Sequence, residues 1–341
     1  MSRRLKQPTE QPPPLPIEME MGLAGFLRYL EAERSASRYT LRNYGREVTE
    51  FLRFLASEGV RAWQQVDRDV LRRYLLWLTS QGYVRGSIAR RVAEVHSFGA
   101  YLLREGWVRA NPFLTLQAFA PKGKRRLPEV LAVPEAQALV SPAVEAERSP
   151  VRAAQDLRDR AILEVLYAGG LRVSELVGLD LADYDARRGE LRVLGKGNKE
   201  RVALLGRPAR QALAAYLDTG RPQLRASRGA AARALFLNRF GGRLTARSVQ
   251  TLLRQYTLRA GLDKRVTPHV LRHTFATHLL DGGADLRVVQ ELLGHAQLGT
   301  TQIYTHVSRS QVRAVYLKAH PLARDTRESP AQPDRAGKEE S

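Results

Sequence analysis

The sequence predicts a mainly α-helical protein with one small β-sheet, split into an N-terminal domain of four helices and a larger mixed α/β domain. Three observations carry the prediction. Apolar residues recur at helical spacing through the first hundred residues; one stretch, "ELRVLGKGNKERVALL", alternates apolar and polar residues on either side of a Gly/Asn turn; and "APKGKRRLPEVL" holds too few apolar residues to pack. A chain of 341 residues with 43% hydrophobic content is long and apolar enough for two separate cores.

In chain order, residues 1–17 read as a disordered leader, because five prolines and few large apolar side chains do not repay the entropy of ordering. The four helices occupy 18–111. Their apolar stripes are Phe26, Leu27 and Leu30; Val48, Phe51, Leu52 and Leu55; Val70, Leu71, Leu75 and Leu78; and Ile88, Val92, Val95 and Leu102. Glycines in "SEGV", "SQGYVRGS" and "REGW" separate them. Residues 112–128 read as a linker. The second domain, 129–322, opens with the helix "LRDRAILEVLYAGG", stopped by two glycines, continues through the alternating hairpin, and ends in five further helical stretches. The last of these carries Val312, Val315, Tyr316 and Ala319 as an apolar stripe suited to packing on a neighbouring subunit. Residues 323–341 read as a flexible charged tail.

The formal net charge of +20 calls for a polyanionic partner, either nucleic acid or an anionic membrane. Both halves share it, with 21 basic against 12 acidic residues in 1–125 and 34 against 23 in the remainder. Two basic lobes on a basic tether suit closure around a duplex, although a merely well-solvated surface has the same composition. There is no apolar run of roughly 18 residues and no signal-like leader, which points to the cytoplasm and to nucleic acid. Without cysteine there are no disulfides, thiolate metal sites or cysteine nucleophiles.

The stretch "TPHVLRHTFATHLLDGG", residues 267–283, places three histidines and an arginine on one helix. Thr267 is suited to cap it, Pro268 to its first turn and Gly282 to its end. His269, Arg272, His273 and Ala276 then share one face, with Leu271, Phe275, His278 and Leu279 towards another. An imidazole and a guanidinium near a helix N-terminus suit a phosphate. His269 and His273 also have the i, i+4 spacing of a zinc pair, but Val270 stands where the glutamate of H-E-x-x-H belongs, and the arginine repels a divalent cation. Taken alone, the histidines also read as ordinary helix and core residues, which fits His273 and His278 best.

"GGLRVSELVGL", "GKGNKERV", "PHVLRHTFATHLLDGGADLRVVQELLGHAQLGTTQIYTHV" and the closing "HP" together resemble the tyrosine recombinases, and among these the bacterial Xer group, over residues 20–322. The resemblance implies six site residues: Arg172 and Arg272, Lys196 on the hairpin, His269, His295, and Tyr304 as nucleophile. It further implies a core-binding domain and a catalytic domain closing as a clamp on double-stranded DNA, and reaction through a 3′-phosphotyrosyl intermediate with no cofactor, metal or ATP. The implied partners are further copies or a paralogue, forming a tetramer on two sites. A septal DNA translocase as activator is left open.

The chemistry is consistent with those roles. Two arginines offset the charge of a phosphodiester's non-bridging oxygens without titrating. Glu175 reads as the residue that orients a buried Arg172, the alternative being a surface ion pair. Tyrosine has a pKa of ~10, so on the order of one part in a thousand is ionised at neutrality, a handicap of roughly 4 kcal/mol that calls for a base or a cationic setting. His269 is the expected base, and His295 a phosphate donor. Lys196 is one of 8 lysines in a chain with 47 arginines, which suggests a task that needs a transferable proton. The expected function is site-specific recombination that resolves chromosome or plasmid dimers during segregation. A mobile-element integrase or resolvase, a strand-swivelling topoisomerase and a non-catalytic DNA-binding protein are the alternatives.

Overall fold

In the computed structural model, which describes residues 14–34, 36–119, 129–141, 149–195, 200–225, 233–294 and 309–323, the first apolar stripes become four α-helices. They are α1 (Ile17–Ala32), α2 (Arg38–Ser57), α3 (Arg68–Ser80) and α4 (Arg85–Arg104). Ser37 caps α2 by accepting from the Thr40 N–H, and Asp67 caps α3 by accepting from that of Val70. Phe26, Val48, Phe51, Leu52, Leu55, Leu71, Leu78, Val95 and Leu102 are buried in one core, joined by Trp63, Tyr74 and Phe98.

Two boundaries differ from the sequence reading. The leader ends earlier than residue 17, because Pro16 accepts the first N–H groups of α1 and Leu15 packs on the core. The linker starts later than 112. Phe113 and Leu116 are fully buried, the first just before and the second within the short helix α5 (Leu114–Phe119). One aromatic and one leucine sufficed to pull the chain into the core, in a segment too short to show helical periodicity. The compact unit runs from Met1 to Arg126, with 120–128 outside the described residues.

The second unit, Leu127–Ser341, is built around α7 (Pro150–Gly169). Every residue from Ala161 to Gly169 is buried, all of them apolar, glycine or aromatic except Glu164. Around it lie α6 (Val133–Val140), α8 (Val173–Gly178), α9 (Arg207–Ala215), a π-helical turn at Tyr216–Gly220, α10 (Arg221–Leu224) and α11 (Ala246–Arg259). The alternating stretch forms the expected hairpin of β2 (Glu190–Leu194) and β3 (Glu200–Leu204), paired antiparallel with Leu191 opposite Ala203 and Val193 opposite Arg201. A two-residue strand β1 (Tyr184–Asp185), too short to show alternation, adds to β2 in the order β1-β2-β3.

The remaining helices are α12 (Pro268–Asp281), α13 (Leu286–Leu293) and α14 (Arg309–Ala319). Here the expectation for the last stripe is corrected. Val312, Tyr316 and Ala319 are buried within their own chain, against Phe275, Leu279, Val288, Val289 and Leu292, with Val315 partly covered by the same cluster. The stripe is complementary to a surface the chain itself supplies. The Tyr316 hydroxyl, which accepts from the Gly206 N–H at 3.0 Å, satisfies its polar end there.

Candidate active site

α12 starts as its sequence indicates: the Thr267 side chain accepts from the Val270 N–H at 3.2 Å, Pro268 occupies the first turn, and Gly282 ends the helix. Leu271, Phe275, His278 and Leu279 face the core. His278 is one of that core's own residues. Its Nε2 lies 2.8 Å from the Leu131 carbonyl and so must be the donor, which leaves Nδ1 to accept from the Tyr167 hydroxyl at 2.7 Å. Burial lowers its pKa, the Leu131 bond offsetting only part. His269, on the first turn, is exposed, and His273 is half-buried.

Arg272 lies deeper than its place on the polar face of the sequence helix suggests, only 7% exposed. Its Nη1 donates to the Gly170 carbonyl at 2.7 Å and its Nη2 to the Leu293 carbonyl at 2.6 Å. Gly170 ends α7 with φ +55°, and a Cβ there would lie 2.4 Å from the Phe275 ring, so only glycine turns the chain at this point. Arg172 follows two residues later as the N-cap of α8.

Glu175, on the first turn of α8, joins these parts. One oxygen accepts from Arg172 Nη1 at 2.6 Å; the other accepts from the Arg172 backbone N–H and from Arg201 Nη2, each at 2.9 Å. Arg272 Nη1 is 3.8 Å from that second oxygen. Burial pushes the Glu175 carboxyl up, but the Arg201 charge and the bonds from Arg172 and Arg201 outweigh it and hold the group below the usual carboxylate range. Burial, then the charges of Arg172 and Arg201, push Arg272 down to about 10, still protonated at neutrality.

The buried member of the Arg172–Glu175 pair is the glutamate, with its side chain 2% exposed, while that of Arg172 is 38% exposed. This corrects the expectation of a buried guanidinium. Held by one edge and open at the other, Arg172 is free to meet an anion. Three guanidinium groups converge on one carboxylate, and the positive surplus is suited to a phosphate. Lys196, His295 and Tyr304 lie outside the described residues, but their flanks are described: β2 and β3 on either side of 195–199, and α13 and α14 on either side of 295–308.

Arg201 was missed in the sequence, although a signal for it was present. Val193 and Leu191 are core-facing, and their partners across the hairpin, Arg201 and Ala203, share that face. An arginine in a core-facing register needs a buried partner, and Glu175 is that partner.

Comparison with known proteins decides the family. The profile described as "Phage integrase family" matches residues 131–311, and that of "Phage integrase, N-terminal SAM-like domain" matches 23–106. "Tyrosine recombinase XerC" of Pelotomaculum thermopropionicum is 43% identical over 313 residues, covering 90% of this chain and 100% of the relative. This chain belongs to the phage integrase family, the tyrosine recombinases. These are DNA strand-cleaving and rejoining enzymes, and site-specific recombination is the activity class that membership assigns. "Tyrosine recombinase XerD" of Halalkalibacterium halodurans is 41% identical over 302 residues, covering 88% of this chain and 98% of the relative, so identity does not choose between the two Xer types. The fold is shared with a structure titled "XerH site-specific recombinase bound to difH substrate: pre-cleavage complex", at 23% identity and TM-score 0.61 over 86% of this chain and 82% of that one. Among the described residues no helix is long and apolar enough to cross a membrane.

Proposed function

We propose that the protein acts on double-stranded DNA in the cytoplasm, cutting one strand at a time at a defined site. The Tyr304 oxygen forms a bond to the phosphorus as the bond to the 5′-oxygen breaks, leaving a 3′-phosphotyrosyl link and a free 5′-hydroxyl. His269 takes the tyrosine proton, Lys196 gives a proton to the departing oxygen, Arg172 and Arg272 offset the charge on the non-bridging oxygens, and His295 donates to the phosphate. The phosphotyrosyl link conserves the energy of the broken bond, so a 5′-hydroxyl from another strand reseals it without ATP.

The observation that carries this reading is the cluster of Arg172, Arg201 and Arg272 on one buried carboxylate, with Arg172 open at the N-terminus of α8. The exposure of His269 on the next helix start supports its role as base. In this reading the helical unit that ends with α5 is the core-binding domain and the unit that begins at Leu127 the catalytic domain. Four subunits, of this chain alone or with a paralogue, join two sites to resolve chromosome or plasmid dimers. The similarity to both XerC and XerD proteins supports that role. A septal translocase would act on that assembly as activator.

The test is to incubate the protein with sheared genomic DNA from its own source, quench with detergent and recover covalent adducts. The expected result is a nucleotide 3′-phosphate on the peptide containing Tyr304, at recurrent DNA sequences, and none with Tyr304→Phe. DNA binding without any adduct would leave a non-catalytic DNA-binding protein as the answer.

A further inference from the structure

Arg201 has a side chain only 9% exposed, on the core-facing side of β3. An arginine there is not explained by stability, since replacing a buried ion pair with apolar groups is often neutral or favourable. Its two terminal nitrogens serve different elements. Nη2 donates to Glu175 at 2.9 Å, and Nη1 donates to the Leu292 carbonyl near the end of α13 at 2.7 Å. Arg272 takes the next carbonyl, that of Leu293. The last carbonyls of a helix have no partner within it, and here two guanidinium groups supply them.

Gly294 then turns the chain at φ +65°, and a Cβ on it would lie 2.7 Å from Arg201 Cδ. Left-handed backbone and lack of space both require glycine at this point. Residue 295 follows directly. At its other end, β3 begins at Glu200, four residues after Lys196 in the sequence. A single guanidinium therefore joins β3, the carboxylate holding Arg172, and the end of the helix that residue 295 follows in sequence.

We propose that Arg201 is a positioning residue of the strand-cleaving site, aligning β3, Arg172 and the end of α13 without itself touching the phosphate. The inference rests on the reaction proposed above. Both of its terminal nitrogens are committed to protein acceptors and its Nε is buried, so it acts through its neighbours. Arginine is required because one planar fork reaches two acceptors on different elements, which an ammonium does not.

The probe is a nicked synthetic duplex carrying a sequence recovered from the genomic adducts, with single-turnover adduct formation, duplex affinity and thermal unfolding measured separately. Arg201→Met is expected to slow adduct formation per folded molecule roughly 10²-fold, the scale of a small misalignment of reacting groups, with affinity little changed and a lower unfolding temperature, since the buried Glu175 loses one partner. Arg201→Lys should recover part of the rate. Gly294→Ala, which keeps the guanidinium but crowds it, should be slow in the same way. The deciding measurement is the double variant Arg172→Ala/Arg201→Met, expected to lose clearly less than the product of the two single losses, because Arg201 acts in part through Arg172. Losses that fully multiply in the double variant, or that vanish once rates are expressed per folded molecule, overturn the proposal. If the unmodified protein forms no adduct, the proposed reaction falls first; if it and Arg201→Met form adduct equally fast, only the role of Arg201 falls.

Discussion

Each unit of the molecule buries a cluster of arginines and glutamates, and the two clusters follow opposite charge rules. In the helical unit Glu47, fully buried, is paired with Arg46, Arg90 and Arg91; Glu94 takes Arg90 at 2.6 Å, and Glu50 takes Arg91 at 2.5 Å. Three carboxylates meet three guanidinium groups, and the network closes on itself. In the second unit three guanidinium groups meet one carboxylate. A cluster balanced in charge needs no further partner; one left with surplus positive charge is suited to an anion from outside.

The sharpest way to break this comparison is to remove one cation from each cluster. Arg272→Ala is expected to lower adduct formation by ~10³-fold, about 4 kcal/mol on the barrier, in single-turnover assays on the nicked duplex. Arg91→Met should instead cost about 3 kcal/mol of folding free energy in urea titrations, since it leaves one oxygen of the fully buried Glu47 without its cation, while folded molecules form adduct at the unmodified rate. If Arg91→Met impairs cleavage per folded molecule as severely as Arg272→Ala, the division between closed and open clusters is wrong.

A third buried carboxylate sharpens the contrast. Glu164 on α7 is 2% exposed, and burial pushes its pKa up to about 7, the charge of Arg160 offsetting only part. A carboxyl whose folded pKa is raised contributes stability that is fully present below its unfolded pKa, near 4.5, and is lost as pH rises through about 7. Glu164→Gln does not titrate, so it should be more stable than the unmodified protein at pH 8, by at most ~3 kcal/mol, and nearly equal to it at pH 4. Glu175 has the opposite sign: its pKa is lowered, so its contribution is present above the usual carboxylate range and lost as pH falls below it. Urea titrations of both proteins across that range check the effect, and equal stability at pH 8 would show that Glu164 is better compensated than its burial implies.

Much of this was legible in the sequence. The four helical stripes, the glycine stop after α7, the hairpin and the capping of α12 each depend on neighbours within a few residues, where spacing and residue type suffice. His269 and Arg272 were marked by the same local context and Arg172 by the family resemblance, while the first-turn placement of Glu175 beside the N-cap Arg172 is itself a local pairing. Arg201 was legible in principle from strand alternation, but only with Glu175 at hand does a core-facing arginine make sense.

By itself the sequence determined which faces are apolar, where helices start and stop, and which polar side chains stand in order along the second unit, because backbone and rotamer preferences act over one or two turns. Only the tertiary structure decided what each face meets. Burial of apolar area has no direction, so a stripe such as Val312, Tyr316 and Ala319 specifies that something covers it and not that α12 and α13 of the same chain do. The site was decided the same way. The carbonyls that hold Arg272 lie 102 and 21 residues away in sequence, and a buried guanidinium must find fixed acceptors wherever the fold brings them.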